Sequence, residues 1–84
     1  MYEYYFTFRS VTAAQSAAKR LEQAGIAAAM LRTPRALQKQ GCGYSLRVRA
    51  GQFSEARALL TRLSVPFQRI YGKLPEGRWE EVRP

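Results

Sequence analysis

Cys42 is the only cysteine in the sequence, and it stands between two glycines in Gly41-Cys42-Gly43. The segment leading to it, Thr33-Pro34-Arg35-Ala36-Leu37-Gln38-Lys39-Gln40, is basic. A cysteine reacts as its thiolate, and positive charge or inward-pointing amides lower its pKa from the ordinary value of about 8.5. Arg32, Arg35 and Lys39 supply the charge. Glycines at 41 and 43 open turn conformations closed to other residues, clear side chains from around the sulfur, and let successive amides form an anion-binding nest. The expectation is an accessible Cys42 that titrates below about 8.5. Thr33 with Pro34 reads as a helix start, and a turn from Pro34 to Gln38 would set Arg35 and Lys39 on one side. A packing alternative stands beside this, because cysteine also serves as a small hydrophobe and Gly41-Cys42-Gly43 could be the tight start of a strand.

Other chemistries lack their residues. The chain has no histidine, which with a single cysteine leaves no zinc or iron–sulfur ligand set within one chain, so no metal is expected. The same absence removes every Ser-His and Cys-His catalytic pair. The carboxylates are Glu3, Glu22, Glu55, Glu76, Glu80 and Glu81, and only the last two are neighbours. Such a set offers no paired-carboxylate site. No Gly-rich phosphate loop precedes a helix, and no cofactor is expected.

The elements that must position Cys42 follow from the periodicities. Tyr2 to Arg9 alternates as a strand, with Tyr4, Phe6 and Phe8 on one face and Glu3, Tyr5, Thr7 and Arg9 on the other. Ser10-Val11-Thr12 opens a helix in which Thr12 and Gln15 have capping-box spacing. Ala14, Ala17, Ala18 and Leu21 form its apolar stripe, and Gly25 ends it in the left-handed cap conformation. Ile26 to Leu31 reads as a second strand and Tyr44 to Arg49 as a third, in which Tyr44, Leu46 and Val48 alternate with Ser45, Arg47 and Arg49. Ala50-Gly51 breaks this third strand. A second helix is expected from about Phe53 to Leu63, with Phe53, Ala56, Leu60 and Leu63 on one side. Pro66 stops it, and Phe67 to Tyr71 is a short last strand. The expected buried set is Phe6, Phe8, Leu21, Leu46, Val48, Leu60 and Leu63.

Two β-α-β units joined by a central hairpin predict an α+β, ferredoxin-like β-α-β-β-α-β fold. Its four-stranded antiparallel sheet would carry both helices on one face, leaving the other to solvent, a partner or the tail. The domain organisation read from this is one domain over 1–71 and a C-terminal tail over 72–84 that holds Trp79 and half of the acidic residues.

At 84 residues the chain makes one small domain, which buries roughly 60–65% of its unfolded surface and keeps its sites shallow and on loops. A hydrophobic fraction of 46% and a charged fraction of 24% are those of a folded globular protein. No basic leader with an apolar run opens the sequence, and no stretch approaches the roughly 20 apolar residues that span a bilayer. With a lone cysteine, these features predict a cytoplasmic protein with no membrane partner. The net charge of +8 suits an acidic partner, although the basic residues are spread from Arg9 to Arg83 with no run longer than two.

The order of motifs resembles a small bacterial family described as Se/S carrier protein-like. The residues that carry the resemblance are Tyr4-Tyr5-Phe6-Thr7-Phe8, then Thr33-Pro34-Arg35, then Cys42-Gly43-Tyr44-Ser45-Leu46, and finally Ile70-Tyr71. They span about Tyr2 to Tyr71. The family pattern usually has small hydroxyl residues just before the cysteine, where this chain has Lys39-Gln40-Gly41. The resemblance implies a sulfur or selenium carrier rather than an enzyme, holding a persulfide or selenopersulfide on Cys42. Its partners would be donor and acceptor proteins. In that reading Gly41 and Gly43 give access and amides, Arg35 is the main charge partner, and Arg32 and Lys39 add charge. Two other readings stay open. One is a nucleic-acid-binding module that stacks bases on sheet aromatics, since Cys42-Gly43-Tyr44-Ser45-Leu46-Arg47-Val48 faintly echoes an RNA-recognition strand. The other is a protein-interaction module, including a homo-oligomer, that uses the open sheet or an edge strand.

Overall fold

Alternation of Tyr4, Phe6 and Phe8 with Glu3, Tyr5 and Thr7 makes the first strand two-faced, and both faces are used. The computed structural model describes residues 3–38 and 43–83. In chain order the elements are β1 (Glu3–Phe8), α1 (Val11–Gln23), β2 (Ala28–Arg32), a 3₁₀ turn (Arg35–Leu37), β3 (Tyr44–Arg49), α2 (Ala50–Arg62), β4 (Arg69–Lys73) and β5 (Trp79–Val82). The strands form one sheet in the order β2-β3-β1-β4-β5, and every neighbouring pair is antiparallel.

Phe6 lies between Leu46 of β3 and Ile70 of β4 in the sheet register, and all three are fully buried. With Phe8 and Val48 they meet Ala14, Ala17 and Leu21 of α1 and Phe53, Ala56 and Leu60 of α2, so both helices cover this face. The alanine stripe of α1 lets that helix approach the sheet closely. Tyr4 stacks on Phe53 with ring centroids 3.8 Å apart, and the Arg57 guanidinium lies over the Phe53 ring, 5.2 Å from its centroid. Phe6 meets the Phe67 ring edge-on at 5.3 Å.

Four strands were expected; five are present among the described residues. The segment after Gly72 turns back through Leu74 to Arg78, closed by the Leu74 N–H donating to the Arg78 carbonyl at 2.8 Å, and β5 then pairs with β4. Trp79 thereby reaches the helix-free face and meets Tyr5 edge-on at 4.9 Å. Tyr5, Tyr71 and Leu37 are buried there, with Leu31 and Trp79 packed against them. Tyr5 is therefore a second-core residue, and Thr7 on the same face is buried with its hydroxyl accepting the Arg69 N–H at 3.1 Å.

Several local expectations are corrected. Ser10, not Thr12, caps α1: its hydroxyl accepts the Ala13 N–H at 3.1 Å. Strand β3 ends at Arg49, where Ala50-Gly51 was expected to break it, but α2 starts at once with Ala50 rather than near Phe53, and it has no side-chain cap from Arg49. Instead Gln52 ties the first turn of α2 to the end of α1, its Oε1 accepting the Ala27 N–H at 3.1 Å. Strand β2 starts two residues later than expected because Ile26 is spent on capping: its N–H donates to the Leu21 carbonyl at 2.9 Å while Gly25 holds φ at 78°. Strand β4 is displaced in the same direction, and before it the Gln68 N–H donates to the Thr7 carbonyl at 2.7 Å. Leu63, expected in the core, is 39% exposed. It is the last residue of α2's stripe, and Val65 and Phe67, beyond the turn, pack against the core in its place.

The two helices end alike. After α2 the Val65 N–H donates to the Leu60 carbonyl at 2.9 Å, and Ser64 takes the left-handed position with φ 55°. Glycine fits that conformation without the Cβ penalty of about 1–2 kcal/mol, less its own larger unfolded-state entropy. Ser64→Gly is expected to stabilise the protein by roughly 0.5–1 kcal/mol. Urea denaturation checks this; a lowered midpoint would show that the left-handed position costs serine nothing.

Candidate functional site

The connection between β2 and β3 carries the residues singled out by their chemistry. Cys42, Gly41 and Lys39 lie outside the described residues, as does Gln40. The root of the connection is defined on both sides. The Thr33 N–H donates to the Gly43 carbonyl at 3.1 Å, continuing the β2–β3 ladder by one pair. Beneath it the Thr33 and Ser45 hydroxyls share a hydrogen bond of 2.8 Å, and both residues are buried. The Gln38 side chain folds back, its Nε2 donating to the Thr33 carbonyl at 2.8 Å.

Between these ties the chain makes a 3₁₀ turn rather than an α-helical one, with Pro34 at its N-cap. Leu37 anchors the turn by packing in the buried cluster with Tyr5 and Tyr71 on the helix-free face. Arg35, on the same turn, is exposed. Arg32 is also exposed, at the end of β2, and its guanidinium lies 5.7 Å from the centroid of the Tyr44 ring. Among the described residues neither arginine is in an ion pair. Gly43 does not occupy the left-handed region, and a Cβ built on it meets none of the described residues within 4 Å. What glycine contributes at 43 is open space, not a special backbone conformation.

The root hydroxyl pair was not found from sequence, since Thr33 and Ser45 lie in different elements and neither has a local pattern that announces a partner. The signal that could have found it is register: once β2 and β3 are paired, both residues fall on the helix-free face beside each other. Thr33→Val is expected to cost about 1–3 kcal/mol, because it strands the buried Ser45 hydroxyl. Adding Ser45→Ala removes both polar groups and should recover much of the loss. A double-mutant cycle in urea checks this, and strictly additive losses would contradict the pairing.

The aromatic residues are placed unfavourably for base stacking. Leu46 is fully buried on the helix side, where Tyr44 also packs, while Tyr5 and Tyr71 are covered by Leu37 and Trp79. No described helix is long and apolar enough to cross a membrane.

A family model described as "Putative Se/S carrier protein-like" matches residues 3–72. The chain belongs to this family. The Se/S carrier-like span runs from the first residue of β1 into β4, so it includes the Cys42 connection and excludes β5. No curated protein and no solved structure matches the chain.

Proposed function

We propose that this protein is a sulfur or selenium carrier that holds its cargo on Cys42. The observation that carries the reading is the family match across the whole β2–β3 connection in a chain with one cysteine. In the step proposed, the Cys42 thiolate attacks the outer sulfur of a donor's cysteine persulfide. A new S–S bond forms on Cys42, the donor's S–S bond breaks, and the donor sulfur leaves as a thiolate. Oxidation state is conserved over the pair, so no external oxidant or reductant is needed. Delivery is the same exchange run onto an acceptor thiolate. With a selenium donor the attacked atom is selenium, and the product is a selenopersulfide.

The carrier needs no acid, base or cofactor of its own, because donor and acceptor proteins supply them. Arg35 is assigned as the main charge partner of the anionic cargo. Its exposure on the turn supports this, whereas Arg32 is engaged with the Tyr44 ring. Gly43 and Gly41 are assigned to access and backbone amides, and Lys39 to further charge. The open space at Gly43 supports an approach by two different partners. The fold that goes with this reading is a ferredoxin-like unit over 1–71, with 72–84 as an extension that supplies β5. A reducing cytoplasm suits a cargo handled by thiol exchange. The test is the intact mass after exposure to a persulfide donor: the reading requires a gain of one sulfur that depends on Cys42.

A further inference from the structure

The two edges of the sheet are not alike. Strand β5 is guarded: its residues Glu80 and Glu81 are exposed, and Glu81 is bound by Arg69 at 2.7 Å. Charges on an edge strand discourage another strand from pairing with it. Strand β2, at the opposite edge, carries a single charge, the exposed Arg32 at its last position. From Ala24 to Leu31 the sequence contains no charged residue and no proline, and Met30 is 42% exposed.

The free groups of this edge can be read from its pairing with β3. Thr33 and Gly43 form a hydrogen-bonded pair, and such pairs alternate along an antiparallel ladder, so Leu31 with Ser45 and Ala29 with Arg47 are the next ones. The N–H and C=O groups of Ala28, Met30 and Arg32 therefore point away from β3. Among the described residues nothing outside the sheet bonds to them; the nearest tie, from Gln52, goes to the Ala27 N–H.

These free groups are symmetric about Met30. We propose that β2 pairs antiparallel with β2 of a second copy of this chain, across a two-fold axis at Met30, joining two sheets into one. In that register Met30 faces Met30 of the second copy, Ala28 faces its Arg32, and Arg32 faces its Ala28. Every outward N–H and C=O of the edge is then satisfied by an identical strand, as an isologous interface demands. On the helix side the exposed Met30 side chains come into contact. On the other side Ala29 meets Leu31 of the second copy, and the two Arg32 guanidinium groups stay at opposite ends. The net charge of +8 on each copy opposes association, so the dimer tightens as salt is added. The inference does not depend on the carrier reading, although it takes its register from the Thr33–Gly43 pair at the root of the Cys42 connection and shares Arg32 with that site.

Sedimentation of the full chain over a range of concentrations tests it. The weight-average mass should rise from 9.6 kDa towards twice that value and stop there. Met30→Lys and Met30→Asp each place like charges face to face on the axis, and each should weaken the dimer about tenfold or more. Met30 is exposed, so both variants should keep the wild-type circular dichroism spectrum. An equimolar mixture of the two sets lysine against aspartate and should regain the dimer. A wild type that stays monomeric up to about millimolar concentration would overturn the proposal, as would growth beyond a dimer, which indicates β2 pairing with β5 of another copy. Variants that dimerise alone as tightly as wild type, or a mixture no tighter than either variant alone, would overturn it as well.

Discussion

Cys42→Ser is expected to lose sulfur loading completely. Wild type treated with a persulfide donor and desalted should gain the mass of one sulfur atom, and should return to its starting mass when offered an acceptor thiol. The serine hydroxyl is almost wholly protonated at neutral pH and does not take part in thiol exchange, and no other thiol exists in the chain to substitute for it. The effect is therefore all or none. A serine variant that gains the same mass would mean that sulfur is held elsewhere. A wild type that gains nothing while Cys42 alkylates readily would end the carrier reading and leave an interaction module as the better account. The pH dependence of alkylation adds a finer measurement. Thiolate is the reactive form, so the rate rises with pH through the thiol's pKa. Arg35→Ala should move that midpoint upward if the guanidinium stabilises the thiolate; an unmoved midpoint would assign the effect to backbone amides.

Phe6→Ala should cost about 3–5 kcal/mol, the range for removing a fully buried phenylalanine. A domain of this size has a total stability of roughly 5–15 kcal/mol, so the variant stands close to unfolding. The ring is inaccessible and touches Phe53 and Phe67, with centroids 5.7 and 5.3 Å away. Its removal leaves a void between the sheet and both helices that rigid neighbouring strands cannot close. The thermal midpoint should fall by roughly 15–30 °C. Leu63→Ala supplies the contrast. Leu63 lies on the same helical stripe as Leu60, yet it is 39% exposed where Leu60 is fully buried. Its truncation should cost under about 1 kcal/mol, while Leu60→Ala costs about 2–5 kcal/mol. Equal losses at the two positions would show that α2 continues to bury its stripe past Arg62.

The sequence by itself determined the elements whose signals are local. Strand β3 appears from Tyr44 to Arg49, as the alternation of Tyr44, Leu46 and Val48 demands, and β1 and α1 lie where their periods place them. Six of the seven expected core residues are buried. Each of these signals is the repeat of one element, and repeat alone decides which side of a strand or helix is apolar. The interest of Cys42 was likewise legible, since it rests on residue type, flanking glycines and nearby charge, and the family membership follows the order of motifs along the chain. The tertiary structure decided what depends on residues far apart. Trp79 finds its place only because β5 returns beside β4 and sets the indole against Tyr5, so the acidic segment could not be seen as a strand from its own pattern. Gln52 ties the first turn of α2 to the Ala27 N–H, in a helix that starts at Ala50, directly where β3 ends, rather than near Phe53. Leu37 and the Thr33–Ser45 pair define the root of the Cys42 connection through contacts across the sheet. Burial and hydrogen bonding between distant segments outweigh propensities of a few tenths of a kcal/mol per residue, so only the assembled sheet could say where the connection is tied down and which strand edge is left free.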